Sequence, residues 1–223
     1  MKTTIIGTII LLLFWNCKQK QDIVKPVLEE KVQAVPLQRV LDPALKDLAL
    51  FAAIAVTDTT DLDDYIDFKA INDEGELVAI DADRAVVLYR KSMSSVSATS
   101  WPIAEVKNTD NCILMVQGKG LGGPIWAKIL VDRSNLAIVK IQLGHKAETE
   151  GYGDAIVRSS FGNGFKGAII KFGTSTYGLR QGGQAILDGT QMVDGLSGAT
   201  VTSKAAVEML NNGLKKYEKY LGQ

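Results

Sequence analysis

Residues 111–143, NCILMVQGKGLGGPIWAKILVDRSNLAIVKIQL, carry the pattern that decides the fold. Three apolar runs of strand length recur there: Cys112–Gln117, Ile125–Asp132 and Leu136–Leu143. Asp132-Arg133-Ser134-Asn135 is a turn joining the last two, and the glycine-rich Gly118–Gly123 joins the first two. Strands that follow one another through tight turns predict an antiparallel meander.

The flanks of this meander supply the remaining elements. Upstream, Asp42-Pro43 followed by Leu45, Leu48, Ala49 and Ala52 reads as an N-cap, a first-turn proline and a helical apolar stripe. Asn72-Asp73-Glu74-Gly75 is a turn between strand-like stretches, the second being Glu76–Ile80, and Ala85-Val86-Val87-Leu88-Tyr89 is predicted as another strand. Downstream, Gly167–Phe172 adds a strand. Ser203–Leu221 is the clearest helix: Ala206, Leu210, Leu214, Tyr217 and Leu221 share a face, Thr202 or Ser203 caps the start, and Gly222 is the stop. Runs of strands with helices at both ends predict an α+β fold, a single domain over 37–223 with an antiparallel sheet flanked by helices.

Composition narrows the function classes. The 223 residues are 46% hydrophobic, with 25 basic and 25 acidic side chains, which excludes wholesale disorder and leaves no cationic footprint for nucleic acid. Two cysteines cannot build a disulfide scaffold or a four-ligand zinc site, and the lone His145 excludes multi-histidine metal centres.

The first 17 residues read as a targeting segment. Lys2 precedes the apolar run Ile5–Trp15, which is shorter than the roughly 20 residues a bilayer span needs, and Cys17 stands at its end. A cysteine there resembles a lipoprotein cleavage site, with lipid on Cys17, although Trp15 and Asn16 stand where small residues are usual. A short uncleaved signal anchor is the alternative, and both readings hold the rest of the chain at the outer side of a membrane. Residues 18–36, polar and carrying two prolines, are predicted as a flexible linker reaching about 60 Å when extended.

Three motifs invite chemistry that their surroundings refuse. Gly118–Gly123 satisfies G-x-G-x-x-G, but a dinucleotide fingerprint must open a helix and the next residues, Pro124–Val131, read as strand. The acidic stretch Asp58, Asp61, Asp63, Asp64, Asp67 has Ile66 where a calcium loop needs glycine and Asn72 where it needs glutamate, so it reads as a solvated face. His145 has no recognisable nucleophile partner.

Asp194-Gly195-Leu196-Ser197-Gly198-Ala199-Thr200-Val201-Thr202-Ser203 stands apart from these. Helix capping accounts for its last hydroxyls but not for the whole Asp-x-x-Ser-Gly-Ala-Thr run, which resembles the flavinylation site of the FMN-binding domain family. That family includes the C subunit of the sodium-translocating NADH:quinone reductase and the G subunit of the Rnf complex. The resemblance implies that Thr200 carries FMN through a phosphoester, with Asp194, Ser197, Gly198 and Ala199 forming the motif that a dedicated flavin transferase reads. That transferase uses FAD as donor and works outside the cytoplasm. Gly118–Trp126 is similar to the family's glycine-rich turn and following strand. His145-Lys146-Ala147-Glu148-Thr149-Glu150-Gly151-Tyr152-Gly153-Asp154 is similar to its His-x-Glu-Thr-Pro-Gly-Leu-Gly segment, with Glu150 in place of proline and Tyr152 in place of leucine. The resemblance implies that Glu148, Thr149 and Tyr152 lie against the flavin ring, where an aromatic side chain can stack. Phe161, Phe165, Lys166 and Gly167 fit a following Phe-x-x-x-Phe-Lys-Gly pattern, and the match runs from about 111 to 205.

The implied function is extracytoplasmic electron transfer by covalent FMN in the C subunit of a sodium-translocating NADH:quinone reductase, a redox subunit with no complete activity alone. The implied partners are the other subunits of that complex, the transferase and the membrane. An Rnf G-type subunit or a stand-alone flavinylated lipoprotein is the alternative. A surface-tethered binding module, its Ser-Gly-Ala-Thr run merely capping a helix, is the reading from a different class.

Overall fold

The computed structural model describes residues 40–180 and 188–222. The expected targeting segment with Cys17 and the whole of the expected linker, 18–36, lie outside the described residues. No helix among the described residues is long and apolar enough to cross a membrane.

A six-stranded sheet forms the centre, in the order β2-β1-β3-β4-β5-β6. Its strands are β1 Ile66–Asn72, β2 Leu77–Ala79, β3 Ser100–Val106, β4 Asn111–Lys119, β5 Pro124–Asp132 and β6 Ala137–His145, each antiparallel to its neighbours. The meander expected from residues 111–143 is therefore present, with a register shift between Leu130 and Val131. Its near-continuous apolar runs have a direct cause: both faces of the sheet are buried. On β4, Cys112, Leu114 and Val116 enter one apolar cluster, whereas Ile113 and Met115 enter a second on the opposite face.

Helices α1 (Pro43–Phe51) and α2 (Ala82–Ser94) cover the second face. The α1 start is as expected, the Asp42 carboxylate accepting from the Ala44 N–H at 2.8 Å. The predicted strand at Ala85–Tyr89 is instead the middle of α2. Asp81 caps it by accepting from the Arg84 N–H at 2.7 Å, and Ala85, Leu88, Tyr89 and Ser92 recur at helical spacing as its buried stripe.

The first face carries α3 (Ser159–Asn163), α4 (Thr200–Lys215) and α5 (Glu218–Leu221). Phe161, Phe165 and Tyr177 stack edge-on with centroids 5.1 Å apart, so the two phenylalanines of the family pattern belong to the core. The expected strand at Gly167–Phe172 reduces to one isolated bridge, Ile169 to Ala137. Two short strands outside the sequence-based expectation, β7 Tyr177–Arg180 and β8 Gln191–Asp194, pair in parallel. The terminal helix starts about one turn earlier than expected and is divided in two. It begins at Thr200, ends at Lys215, and resumes as α5 after a break at Lys216 and Tyr217. Its apolar face is the predicted one: Ala206, Leu210, Leu214, Tyr217 and Leu221 are all buried. Gly213 lets this helix lie close on the sheet, because a side chain there would meet Val116 at 2.5 Å.

Cys112, on β4, is buried with a free thiol, and burial pushes that thiol up to about 12, which keeps it protonated at neutral pH.

Candidate functional site

The hairpin 118–123, the loop 145–154 and the segment 194–203 are separated by up to 85 residues, yet the fold brings them together at one end of α4. The β4–β5 hairpin closes through the Gly120 N–H on the Gly123 carbonyl at 2.8 Å. Glu148 sits where the three segments meet. Its Oε1 accepts from the Gly122 N–H at 2.9 Å, and its Oε2 accepts from the Thr202 hydroxyl at 2.6 Å. Its own N–H donates to His145 Nδ1 at 3.2 Å, which gives the lone histidine a structural role.

Glu148 is 8% exposed, and both its oxygens bond within the protein, Oε2 at the start of α4. Thr202 is not the helix cap but a buried donor in the first turn, 1% exposed. The two glycines flanking the carboxyl exist for space. A Cβ at Gly120 would come within 2.2 Å of Oε1, and one at Gly153 within 2.6 Å of Oε2.

Ser203 pins the other side of the turn, its Oγ accepting from the Leu196 N–H at 2.9 Å. Between these two anchors stand Ala199, buried, and Thr200, exposed as the first residue of α4. The N-cap is Ala199, which offers no side-chain hydrogen bond, so a sixteen-residue helix starts without a side-chain cap. The positive end of the helix dipole lies at this turn.

Tyr152 lies beside this turn. Gly198 adopts φ +74°, and a Cβ there would stand 2.7 Å from Tyr152 Cδ1. Gly198 therefore makes room for the Tyr152 ring. Tyr152 remains 56% exposed, and Leu121 and Val201, from the hairpin and the α4 first turn, are 63% and 55% exposed.

The remaining candidates are placed as follows. Thr149 is exposed, and its carbonyl accepts from the N–H groups of Tyr152 and Asp154 at 3.2 Å each, shaping the loop. Ser197 is exposed. Asp194 ends β8 and pairs with Arg180 at 3.0 Å, well exposed, so it ties the two short strands together. Two clefts, of about 590 Å³ beside Pro43 and Ala82 and about 430 Å³ beside Lys140 and Arg158, contain none of the candidate residues.

The chemistry on offer is that of a secondary hydroxyl, on an exposed residue at the first position of a helix, with the positive end of the helix dipole beside it. An FMN phosphoester would suit these residues: the phosphate would lie at the first turn, and the exposed Tyr152 ring beside Gly198 would offer a flat ring a face to lie on.

Residues 120–215 match the family model described as the FMN-binding domain. The chain is 26% identical over 147 residues to the C subunit of the Na(+)-translocating NADH-quinone reductase of Chlamydia muridarum, a match covering 59% of this chain and 45% of that protein. The match thus spans less than half the length of that curated relative. A crystal structure of the C subunit of the Na(+)-translocating NADH-quinone reductase from Parabacteroides distasonis is similar with a TM-score of 0.61 and 29% identity, over 83% of this chain and 90% of that one. That of NqrC from Shewanella oneidensis shares the fold at a TM-score of 0.58 and 17% identity, covering 80% and 94%.

Proposed function

Because the chain belongs to the FMN-binding domain family, in a form similar to the C subunit of the Na+-translocating NADH-quinone reductase, we propose that it is an electron-transfer flavoprotein carrying FMN on Thr200. One observation carries the covalent part of this reading. Thr200 is an exposed hydroxyl residue at the first position of a long helix whose N-cap residue is Ala199. A phosphate bonded there gains the first-turn N–H groups and the positive end of the helix dipole, worth about 0.3–1 kcal/mol for an exposed anion.

The attachment step balances without an external oxidant or reductant. The Thr200 oxygen bonds to the FMN-side phosphorus of FAD, the pyrophosphate P–O bond breaks, AMP leaves with the bridging oxygen, and the hydroxyl proton goes to solvent or to a base on the transferase. FMN supplies reversible one- and two-electron chemistry when bound. The chain's own residues hold it: Ala199 and Gly198 shape the turn, Tyr152 offers a face, and no side chain needs to act as acid or base.

The working place proposed is the outer side of a membrane, within a redox complex of the NADH:quinone reductase type, where electrons pass through the flavin to other subunits. The expected lipoprotein-type start at Cys17 favours a second reading, a stand-alone flavinylated lipoprotein in extracytoplasmic electron transfer.

The test is co-expression of the full chain with a flavin transferase, followed by intact-mass measurement and in-gel flavin fluorescence after denaturation. Wild type should gain the mass of one FMN less one water, and Thr200→Val should fold but gain nothing. Undiminished covalent flavin in Thr200→Val overturns the assignment. Co-purification of other subunits from native membranes supports the complex over the stand-alone reading.

A further inference from the structure

We infer that Glu148 and Thr202 are positioning residues for the acceptor, a buried clasp that fixes the first turn of α4 so that the Thr200 hydroxyl is held ready for phosphoryl transfer; the inference rests on the functional reading above. The Thr202 hydroxyl donates to Glu148 Oε2 at 2.6 Å, and the Gly122 N–H donates to Oε1 at 2.9 Å. Thr202 is two residues from Thr200 on the same turn, so the hydrogen bond sets that turn's position relative to the hairpin and the 145–154 loop. Both members are nine-tenths buried or more, where such bonds are strong and geometrically strict. Gly120 and Gly153 keep the space that the carboxyl occupies, a Cβ at either position coming within 2.6 Å of a Glu148 oxygen. A clasp at this distance acts through geometry: misplacing a reacting atom by about 1 Å can slow a transfer about a hundredfold.

The clasp and a charge acting directly on the flavin make opposite forecasts for one substitution. In Glu148→Gln the amide oxygen can still accept from Gly122, and the amide N–H can donate to the Thr202 oxygen, so the clasp survives without the charge. Thr202→Ser keeps the donor. Thr202→Val removes it at constant shape, and Glu148→Ala removes the acceptor.

The experiment is single-turnover transfer from FAD to the purified full-length apo protein, with excess transferase, followed by covalent flavin fluorescence. The amplitude reads the folded fraction, and the rate constant reads the placement of the hydroxyl. Thr202→Val and Glu148→Ala should slow the rate constant about tenfold or more at saturating FAD, with half-saturating FAD unchanged. Thr202→Ser and Glu148→Gln should stay within about threefold of wild type. A wild-type rate constant in Thr202→Val overturns the inference and leaves the functional reading standing. A tenfold loss in Glu148→Gln overturns it too, and this arm decides alone if the valine variant does not fold. Absence of flavin on wild-type Thr200 overturns the functional reading together with the inference.

Discussion

At the scale of single residues, Gly198 answers to two constraints at once. Its φ of +74° is strained for any residue with a side chain, and the Tyr152 ring occupies the place where a Cβ would stand. Gly198→Ala should therefore cost about 1–3 kcal/mol in urea unfolding of the apo protein, the backbone part being about 1 kcal/mol. Adding Tyr152→Ala should recover the steric part and leave the backbone part, so the double variant is expected between wild type and Gly198→Ala. A double variant as unstable as the single one would place the whole cost in the backbone. The residue types of this site are legible in the sequence, since the Ser-Gly-Ala-Thr run and the His145–Asp154 segment do converge. The Glu148–Thr202 bond is not. Its partners are 54 residues apart, and a hydroxyl near a helix start reads locally as a cap.

At the scale of elements, Lys128 of β5 fastens α1 to the sheet. Its side chain is 4% exposed, its ammonium stands 2.5 Å from Asp47 Oδ2 and 4.6 Å above the Phe51 ring, and the Tyr89 hydroxyl of α2 donates to the same carboxylate oxygen. Burial lowers the lysine's pKa, while Asp47 raises it back in part. Breaking the pair and replacing it should differ in cost. Asp47→Ala leaves a buried ammonium without its partner and should cost about 3 kcal/mol, the lower end of the usual range because Asp47 itself is half exposed. Lys128→Met fills the same volume without a charge and should fall within about 1 kcal/mol of wild type, or above it. Equal losses in denaturant unfolding would refute the asymmetry. Sequence patterning reveals α1 and the meander because cap, proline and turn residues mark their ends. It misleads at α2 because the five-residue run Ala85–Tyr89 hides a stripe that shows only over the full thirteen residues from Asp81's cap onward. The strands β7 and β8 are four residues each and leave no periodicity to read.

At the scale of the whole molecule, the chain's end is tied back to the sheet through Glu105. Its carboxylate on β3 meets Lys69 of β1 at 2.7 Å, Arg133 after β5 at 3.3 Å, and the Tyr220 hydroxyl of α5 at 2.7 Å. Burial pushes its pKa up, but the Lys69 and Tyr220 hydrogen bonds and the two cationic charges outweigh it and hold the group below its ordinary 4.5. A carboxylate with a lowered folded-state pKa contributes stability above the unfolded value and loses it as pH falls through the folded one. The stability gap between wild type and Glu105→Gln should therefore be full at neutral pH and shrink as pH drops below about 4.5. A gap independent of pH between 7 and 3 would exclude the charge as its source.

The two separate apolar clusters, one on each face of the sheet, make the molecule rewritable on one side only. Residues 120–215, the stretch the family model recognises, contain the 145–154 loop, the acceptor turn and α4. The α1–α2 layer lies outside that stretch and packs on the opposite face of the sheet from α4. Such a protein can drift on its far side, and be refitted to new neighbours there, while the handle that holds its cofactor stays as it was.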